Sequence, residues 1–206
     1  MMRHGIRVLP FFLAFSLLAA PAARTCGSLA LAGDGTCGKP SAAGSTTWYF
    51  AEGYTGEGFQ EYLVVFNPAE ETTRLGVTPL FNSSPRPSHG ATSAEDGPLV
   101  LELPPRSRVT LDINALVGAD MEVSLFLAAE RAVVAERPMY FTYRRAWRGC
   151  TVTGGAERLS SIWYFAEGCT RDGFETWILL ANPGKTAARA TVWLILEDGS
   201  TLPFTL

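Results

Sequence analysis

The hexapeptide Trp48-Tyr49-Phe50-Ala51-Glu52-Gly53 occurs twice in this chain, first at residues 48–53 and again, unchanged, at residues 163–168. The two copies begin at residues 48 and 163 and are therefore 115 residues apart, about the length of one small domain. Six identical letters that include a tryptophan do not recur by chance in a chain of 206 residues. The sequence therefore predicts one repeat followed by the opening of a second.

The match between the two copies continues after the hexapeptide. At the same offset the paired positions are Gly58 with Gly173, Phe59 with Phe174, and Asn67-Pro68 with Asn182-Pro183. Asp96-Gly97 matches Asp198-Gly199 only after a gap is closed. Residues 82–94 are therefore predicted to be a loop insertion in the first copy.

Short alternations of apolar and polar residues, separated by Gly, Pro and Asn, fill the first copy and predict seven or eight strands without an amphipathic helix. The predicted strands are residues 48–52, 60–66, 73–81, 99–103, 108–113, 121–127 and 132–143. Pro138 cannot donate to a ladder, so it is predicted to lie on an edge strand or at a bulge. The predicted fold class is all-β, an immunoglobulin-like antiparallel β-sandwich with one complete copy and an incomplete second copy.

The second copy holds 44 residues, from Trp163 to Leu206, of a 115-residue period. Half of a sandwich would expose an apolar sheet face and would not be stable alone. We therefore expect either that the chain is a truncated fragment or that its second repeat is completed by another molecule.

The first residues have the layout of a secretory signal peptide. Arg3 and Arg7 precede an apolar run from Val8 to Ala20, and Ala20-Pro21-Ala22 offers a cleavage site. The apolar run is too short to span a bilayer, which disfavours an uncleaved anchor. The chain is therefore expected to be secreted, either free outside the cell or associated with the cell envelope, with no membrane span after the signal is removed.

The predicted organisation has five parts, which are a signal peptide at 1–22, a Gly/Ser/Ala-rich arm at 23–45, the first repeat at 46–145, a linker at 146–161 and the truncated second repeat at 162–206. Loss of the two arginines of the signal peptide changes the formal net charge from −3 to −5. A mildly acidic surface disfavours nucleic acid and anionic lipid as partners.

Four cysteines in an exported chain suggest two disulfides, although three pairings are possible. The candidate bridges are Cys26 with Cys37 and Cys150 with Cys169, because each of these pairs is local. Metal binding is disfavoured, since the sequence has no Cys-x-x-Cys and neither of its histidines lies near a cysteine.

The quoted motifs resemble a tandem repeat found in large secreted proteins of actinobacteria and related Gram-positive bacteria. The resemblance is carried by residues 48–53, Gly58-Phe59, Asn67-Pro68 and the segment from Val134 to Phe141. It covers one repeat, about residues 46–150, and the first part of another. It implies an extracellular or cell-envelope module and brings no catalytic residues with it.

The recurring residues form a candidate structural motif. Its members are Trp48, Glu52, Gly53, Gly58, Asn67, Pro68, Arg137, Trp163, Glu167, Gly168, Asn182 and Pro183. Glu52 is expected to accept backbone N–H groups of the glycine-rich turn or to pair with Arg137. Most of the aromatic side chains of the first copy are expected to fill the core.

No catalytic, cofactor-binding or metal-binding set is predicted from the sequence. A triad built on His89 lacks an orienting group, and Glu52 with Glu136 as a glycosidase pair conflicts with the recurrence of Glu52 in both copies. We therefore expect a secreted, non-enzymatic module of the cell surface or envelope, with a structural, spacing or adhesive role toward an unknown protein or glycan. The alternative is a carbohydrate-binding accessory module of an exported cell-wall hydrolase whose catalytic part is absent.

Overall fold

The computed structural model describes residues 44–81 and 97–206. Within these ranges the chain forms nine strands and one short helix. In chain order they are β1 (Ser45–Phe50), β2 (Phe59–Phe66), β3 (Thr73–Phe81), β4 (Leu99–Leu103), β5 (Arg108–Asp112), α1 (Ile113–Val117), β6 (Val123–Tyr143), β7 (Trp147–Gly154), β8 (Thr191–Ile195) and β9 (Thr201–Thr205).

The 21-residue strand β6 organises the first copy. Its first half pairs antiparallel with β1 and β3, and its second half pairs antiparallel with β2 and β7. β4 extends the first group through β3, and β5 extends the second through β2. The result is two four-stranded layers, β4-β3-β6-β1 and β5-β2-β6-β7, that share β6.

The two layers also meet on the side of β7. After β7 the chain crosses to β1, where the backbone N–H and C=O of Tyr49 bond with those of Ala156, both at 2.8 Å. The antiparallel sheet is therefore nearly closed, like a barrel.

The strand periodicity explains how one strand serves both layers. Odd-numbered residues of β6 are buried from Val123 to Leu127 and again from Val133 to Met139, whereas the adjacent Glu130 and Arg131 are both exposed where the strand passes from one layer to the other. The Arg131 N–H bonds the hydroxyl of Thr73 at 3.1 Å and not a neighbouring backbone group. The core is formed by Trp48, Phe50, Leu63, Val65, Leu75, Val77, Leu103, Ile113, Val117, Met121, Val123, Leu125, Leu127, Val133 and Ala135.

The short helix α1 closes one end of this core. The Asp112 carboxylate accepts the N–H of Ala115 at 3.0 Å and so caps the helix at its N-terminus. Ile113 and Val117 are buried, and Gly118 ends the helix with φ +88°.

The prediction of an all-β antiparallel fold is confirmed, but the immunoglobulin-like arrangement is not, because one strand belongs to both layers. Residues 121–127 and 132–143, predicted as two strands, are joined in β6. The predicted linker 146–161 is also wrong in part, since its residues 147–154 form β7 and complete the second layer.

Pro138 lies inside β6, with β2 on one side and β7 on the other, and so is not on an edge strand. The ladder between β2 and β6 is interrupted there, between the pairs Glu61–Met139 and Val64–Glu136. The missing proline donor thus leaves a local gap in a central strand.

The second copy is only partly formed. β8 and β9 make a hairpin, and the described residues from 155 to 190 contain no strand. Trp163 is 51% exposed where Trp48 is 7% exposed, and Phe165 is 57% exposed where Phe50 is 3% exposed. The motif side chains of the second copy therefore lack the cover that β6 gives to the first copy.

The predicted signal peptide, almost all of the predicted arm and the 82–94 insertion lie outside the described residues. In the part of the chain that is described, no helix is long and apolar enough to cross a membrane.

Truncation of a core side chain of β6 should destabilise the first copy. Leu127→Ala removes a fully buried side chain and is expected to lower the free energy of unfolding by about 2–5 kcal/mol. Leu202→Ala, on the exposed hairpin of the second copy, is the matched control and should change it by less than about 0.5 kcal/mol. Chemical denaturation of both variants measures the difference, and equal losses would contradict a fold that rests on β6.

Candidate functional site

The hexapeptide strand β1 packs two of its aromatic rings into the core. Trp48 and Phe50 are buried, and the Trp48 Nε1–H donates to the carbonyl of Val133 on β6 at 3.0 Å. Tyr49 points the other way and stacks on Phe126, with ring centroids 4.9 Å apart. The motif thus secures β1 against the long strand.

Directly after β1, Glu52 forms an ion pair with Arg137 of β6. Arg137 is 2% exposed, and its Nη2 lies 2.7 Å from Glu52 Oε2. Its Nη1 donates to the backbone carbonyl of Glu52 at 2.5 Å. The pairing suggested by the sequence is present, and it ties the end of β1 to the second half of β6.

A second carboxylate, Glu61 of β2, lies fully buried beside this ion pair. Neither of its oxygens makes a hydrogen bond, and the Nε of Arg137 also has no partner. Burial raises the pKa of Glu61 to about 8, opposed by the charge of Arg137 and reinforced by that of Glu52. The backbone N–H of Tyr54 opposes this rise more weakly. Glu61 is therefore largely protonated at neutral pH.

Gly53 is required by this arrangement. A Cβ atom at this position would lie 2.4 Å from Glu61 Oε2 and 2.5 Å from the carbonyl oxygen of Val123, both too close for any side chain. The Gly53 carbonyl accepts the Val123 N–H at 3.0 Å. The glycine of the motif therefore allows β2 and β6 to approach the backbone that follows β1.

The second copy repeats this turn with a neutral side chain. At the offset of 115, Gly168 corresponds to Gly53, and Thr176 takes the place of Glu61. A Cβ on Gly168 would lie 3.3 Å from the Thr176 side chain, whose hydroxyl accepts the Cys169 N–H at 2.8 Å. Both copies thus place an oxygen-bearing side chain against the motif glycine. This recurrence indicates that the contact has a structural role.

The Asn-Pro turns of the two copies are also alike. The side-chain amide of Asn67 donates to the carbonyl of Glu71 at 2.8 Å, and that of Asn182 donates to the carbonyl of Thr186 at 2.7 Å. Both Oδ1 atoms accept a backbone N–H two residues further on, at 3.0 Å. Asn67 is buried and donates in addition to the carbonyl of Leu103, so it fixes the turn between β4 and β5.

The remaining motif residues have local roles. Gly58 and Gly173 share a positive φ, +83° and +85°, which fits glycine at the same turn in both copies. Pro68 and Glu167 are exposed, and Pro183 is half-buried.

Cys150 and Cys169 are free thiols, which contradicts the predicted bridge between them. Cys150 is held in the β6–β7 ladder opposite Tyr140, whereas Cys169 is fixed by its backbone bonds to Thr176. A hydrogen bond from Arg171 lowers the pKa of the Cys169 thiol. The other predicted bridge, between Cys26 and Cys37, lies outside the described residues.

The outer face of the second layer carries an apolar surface that we call the sheet face. It is formed by the even-numbered residues of β2, β5, β6 and β7, which point away from the core. Phe66, Tyr140 and Val152 are 40%, 53% and 60% exposed there. On strands β1 to β7, one further large apolar side chain is exposed, that of Val100, and it lies outside the sheet face.

A shallow groove of about 560 Å³ runs across the sheet face. It is lined by Gln60, Tyr62, Val64, Arg108, Thr110, Pro138 and Tyr140. The rings of Tyr62 and Tyr140 lie 6.2 Å apart at 79°, in an edge-to-face arrangement. The groove therefore presents ring edges beside polar groups, and it lacks two parallel rings that would form a flat platform.

Gln60 and Arg108, two polar side chains of the groove, are already bonded to their neighbours. Gln60 donates to the carboxylate of Asp112 at 2.9 Å, and Arg108 donates to the hydroxyl of Thr110 at 3.1 Å. The sheet face is thus a preformed surface that suits a broad contact more than a small polar ligand.

The carboxylates considered as a glycosidase pair are not brought together. Glu52 is turned to Arg137 inside the molecule, whereas Glu136 is exposed on the sheet face. His89 lies outside the described residues. Among the residues described, no three His, Cys, Asp or Glu side chains are grouped so that they could hold a metal ion.

Sequence reasoning missed Glu61 and the sheet face, although both have a signal. Glu61 is in phase with Leu63 and Val65, the buried residues of β2, so the alternation alone places it inside. The prediction that most aromatic side chains of the first copy fill the core is wrong, since Trp48 and Phe50 are buried but Tyr62 and Phe66, on the opposite side of β2 from Glu61, remain partly exposed.

Comparison with known proteins finds partial structural alignments and no family. No protein-family model and no curated protein matches the chain. A crystal structure of Thermotoga maritima 1070 aligns with a TM-score of 0.45 and 21% identity, over 56% of this chain and 97% of that one. The Anabaena sensory rhodopsin transducer aligns with a TM-score of 0.36 and 21% identity, over 45% of this chain and 92% of that one.

The buried carboxyl should make stability depend on pH. Glu61 keeps its proton up to about pH 8 when folded, whereas the ordinary pKa of 4.5 applies when the chain is unfolded. The contribution of Glu61 to the free energy of unfolding should therefore be fully present below pH 4.5 and fall as the pH rises to about 8, by up to about 1.4 kcal/mol per unit. Denaturation across this range should show a smaller slope for Glu61→Gln, while Glu57→Gln, at an exposed carboxylate, should keep the wild-type slope.

Loss of charge at Glu52 should destabilise the fold, because it leaves the buried guanidinium of Arg137 with a weaker partner. Glu52→Gln is expected to lower the free energy of unfolding by about 1–3 kcal/mol. The control is Glu70→Gln, which removes an ion pair with Arg106 that is exposed on both sides and should leave the melting temperature unchanged. Equal melting temperatures for wild type and Glu52→Gln would contradict a structural role for the buried pair.

Proposed function

We propose that this chain is a secreted, non-enzymatic repeat module of the cell surface or envelope, with a structural, spacing or adhesive role. Export is suggested by the signal-peptide pattern of residues 1–22. The observation that carries the proposal is the sheet face, where large apolar side chains of the first copy are gathered on one side of a rigid layer.

The repeat supports a spacing role. The glycine turn and the Asn-Pro turn recur with the same hydrogen bonds 115 residues apart, at Asn67 and Asn182 for example. Modules joined in tandem by short connections set a regular distance along a surface protein. In this proposal the first copy is one such module, and the recurring motifs from Trp163 onward belong to the next.

The sheet face supports adhesion to a protein. Exposed aromatic and aliphatic side chains such as Phe66, Tyr140 and Val152 on a preformed layer are typical of contact surfaces between proteins. Gln60 and Arg108 on the same face are already bonded to their neighbours, so these two side chains need little ordering on contact.

A non-enzymatic role is supported by the chemistry of the buried cluster. Glu52 and Arg137 neutralise each other, and Glu61 is closed off from solvent. These groups meet each other and have no exposed position at which a substrate would reach them.

The second candidate is a carbohydrate-binding accessory module. It is favoured by Tyr62 and Tyr140, which line the groove of the sheet face. Stacking on sugars works best with rings that lie in one plane, and the angle of 79° between these two rings speaks against it.

Binding to the envelope tests both candidates. Purified chain should be retained by an envelope protein fraction, and Tyr140→Ala should reduce retention at least threefold without a change in melting temperature, because the ring is exposed. Val100→Ala, which truncates an exposed side chain of β4, is the control and should retain wild-type binding. Retention by protein-free insoluble polysaccharide would instead favour the carbohydrate-binding candidate, and no difference between the two variants would remove the sheet face from the proposal.

A further inference from the structure

The strand β7 has one paired edge and one free edge. Its eight residues pair with β6 from Glu136 to Tyr143. Within residues 44–81 and 97–206, no backbone hydrogen bond joins the opposite edge of β7 to another segment. The chain meets β1 only after β7 has ended, at Ala156.

The direction of the backbone groups on this free edge follows from the ladder. The Thr142 N–H bonds the carbonyl of Gly58, so even-numbered residues of β6 turn their backbone groups to β2 and odd-numbered residues turn theirs to β7. Thr151 pairs with Met139 and is therefore bonded inward. The backbone N–H and C=O groups of Arg148, Cys150 and Val152 therefore point away from β6, toward the free edge.

This edge lacks the usual protection against strand pairing. Free edges are normally short or carry charges and prolines. The edge strands β4 and β5 have five residues each and carry charged side chains such as Glu102 and Arg108. β7 has eight residues, no proline and a single charge, that of Arg148.

We propose that the free edge of β7 pairs antiparallel with β7 of a second copy of this chain, about a two-fold axis at Cys150. Pairing of the strand with itself satisfies the outward groups of both copies, with about six backbone hydrogen bonds. The register sets Arg148 of each copy against Val152 of the other, so no like charges face each other.

The side chains favour this register and this occupant. Val152 is exposed, and the aliphatic stem of the facing Arg148 would cover it. If the axis lay at Thr151 instead of Cys150, Arg148 would face Gly154 and Val152 would stay uncovered. The exposed ring of Tyr140 lies beside Cys150 on the sheet face. Pairing therefore continues the two sheet faces into one surface across the axis.

The size of the chain under reducing conditions tests the proposal. Wild type should sediment as a dimer that dissociates on dilution. Val152→Pro should be monomeric, because it removes an outward N–H without removing a bond to β6, and Val152→Thr should remain a dimer because it keeps this N–H. A monomeric wild type would overturn the proposal. So would a Val152→Pro dimer with an unchanged melting temperature, since association would then lie elsewhere, for example in the exposed residues of the second copy.

The thiols report the register independently of any proline variant. Oxidised glutathione, which takes up two electrons and two protons to become two glutathione molecules, should link two Cys150 thiols by a disulfide. A covalent dimer is expected for wild type and for Cys169→Ser but not for Cys150→Ser on a non-reducing gel. A dimer linked through another cysteine in place of Cys150 would overturn the proposed axis.

Discussion

The pairing of one long strand with four others is the constraint on which this structure depends. β1 and β3 hold the first half of β6, and β2 and β7 hold the second. Because β6 buries its odd-numbered residues in both halves, from Val123 to Leu127 and from Val133 to Met139, both layers share a single core. Residues 162–206 of the second copy have no strand in this role, and the rings of Trp163 and Phe165 remain exposed as a consequence.

The same inward phase of β6 places Arg137 in the core, and this explains the charge cluster below the hexapeptide. A buried guanidinium is costly without a partner, and Glu52 at the end of β1 supplies one. A second ionised carboxylate would add another buried charge, whereas the raised pKa of Glu61 lets it remain neutral. Thr176 occupies the equivalent position of the second copy, where an uncharged hydroxyl bonds the Cys169 N–H.

Local pattern was sufficient for the strands from Trp48 to Asp112, because each alternates and is followed closely by glycine, proline or asparagine. It failed where distant pairing decides the structure. Residues 147–154 contain Gly149 and Gly154 and so resemble a linker, yet they form a strand because they pair with β6. Glu130 and Arg131 break the apolar pattern and suggested two strands, although a single strand bends between layers there. The recurrence of Glu52 indicated its structural role, while Glu61 was overlooked because a charged residue in a strand is usually exposed.

The segment after β6 makes the two sides of the molecule unequal. Its first part, β7, completes the second layer, and Ala156 then covers the edge of β1, so the first layer is closed on this side while the outer edge of β7 stays open. On the opposite side of the molecule, Asn67 bonds the carbonyl of Leu103 and holds the turn between β4 and β5. These short edge strands carry charged residues that disfavour pairing with another chain. An eight-residue edge that lacks such charges and lies next to an apolar sheet face would be prone to aggregation if it had no partner of matching length. A symmetric partner limits the association to two chains, because the pairing of β7 with itself uses up the free edge of both.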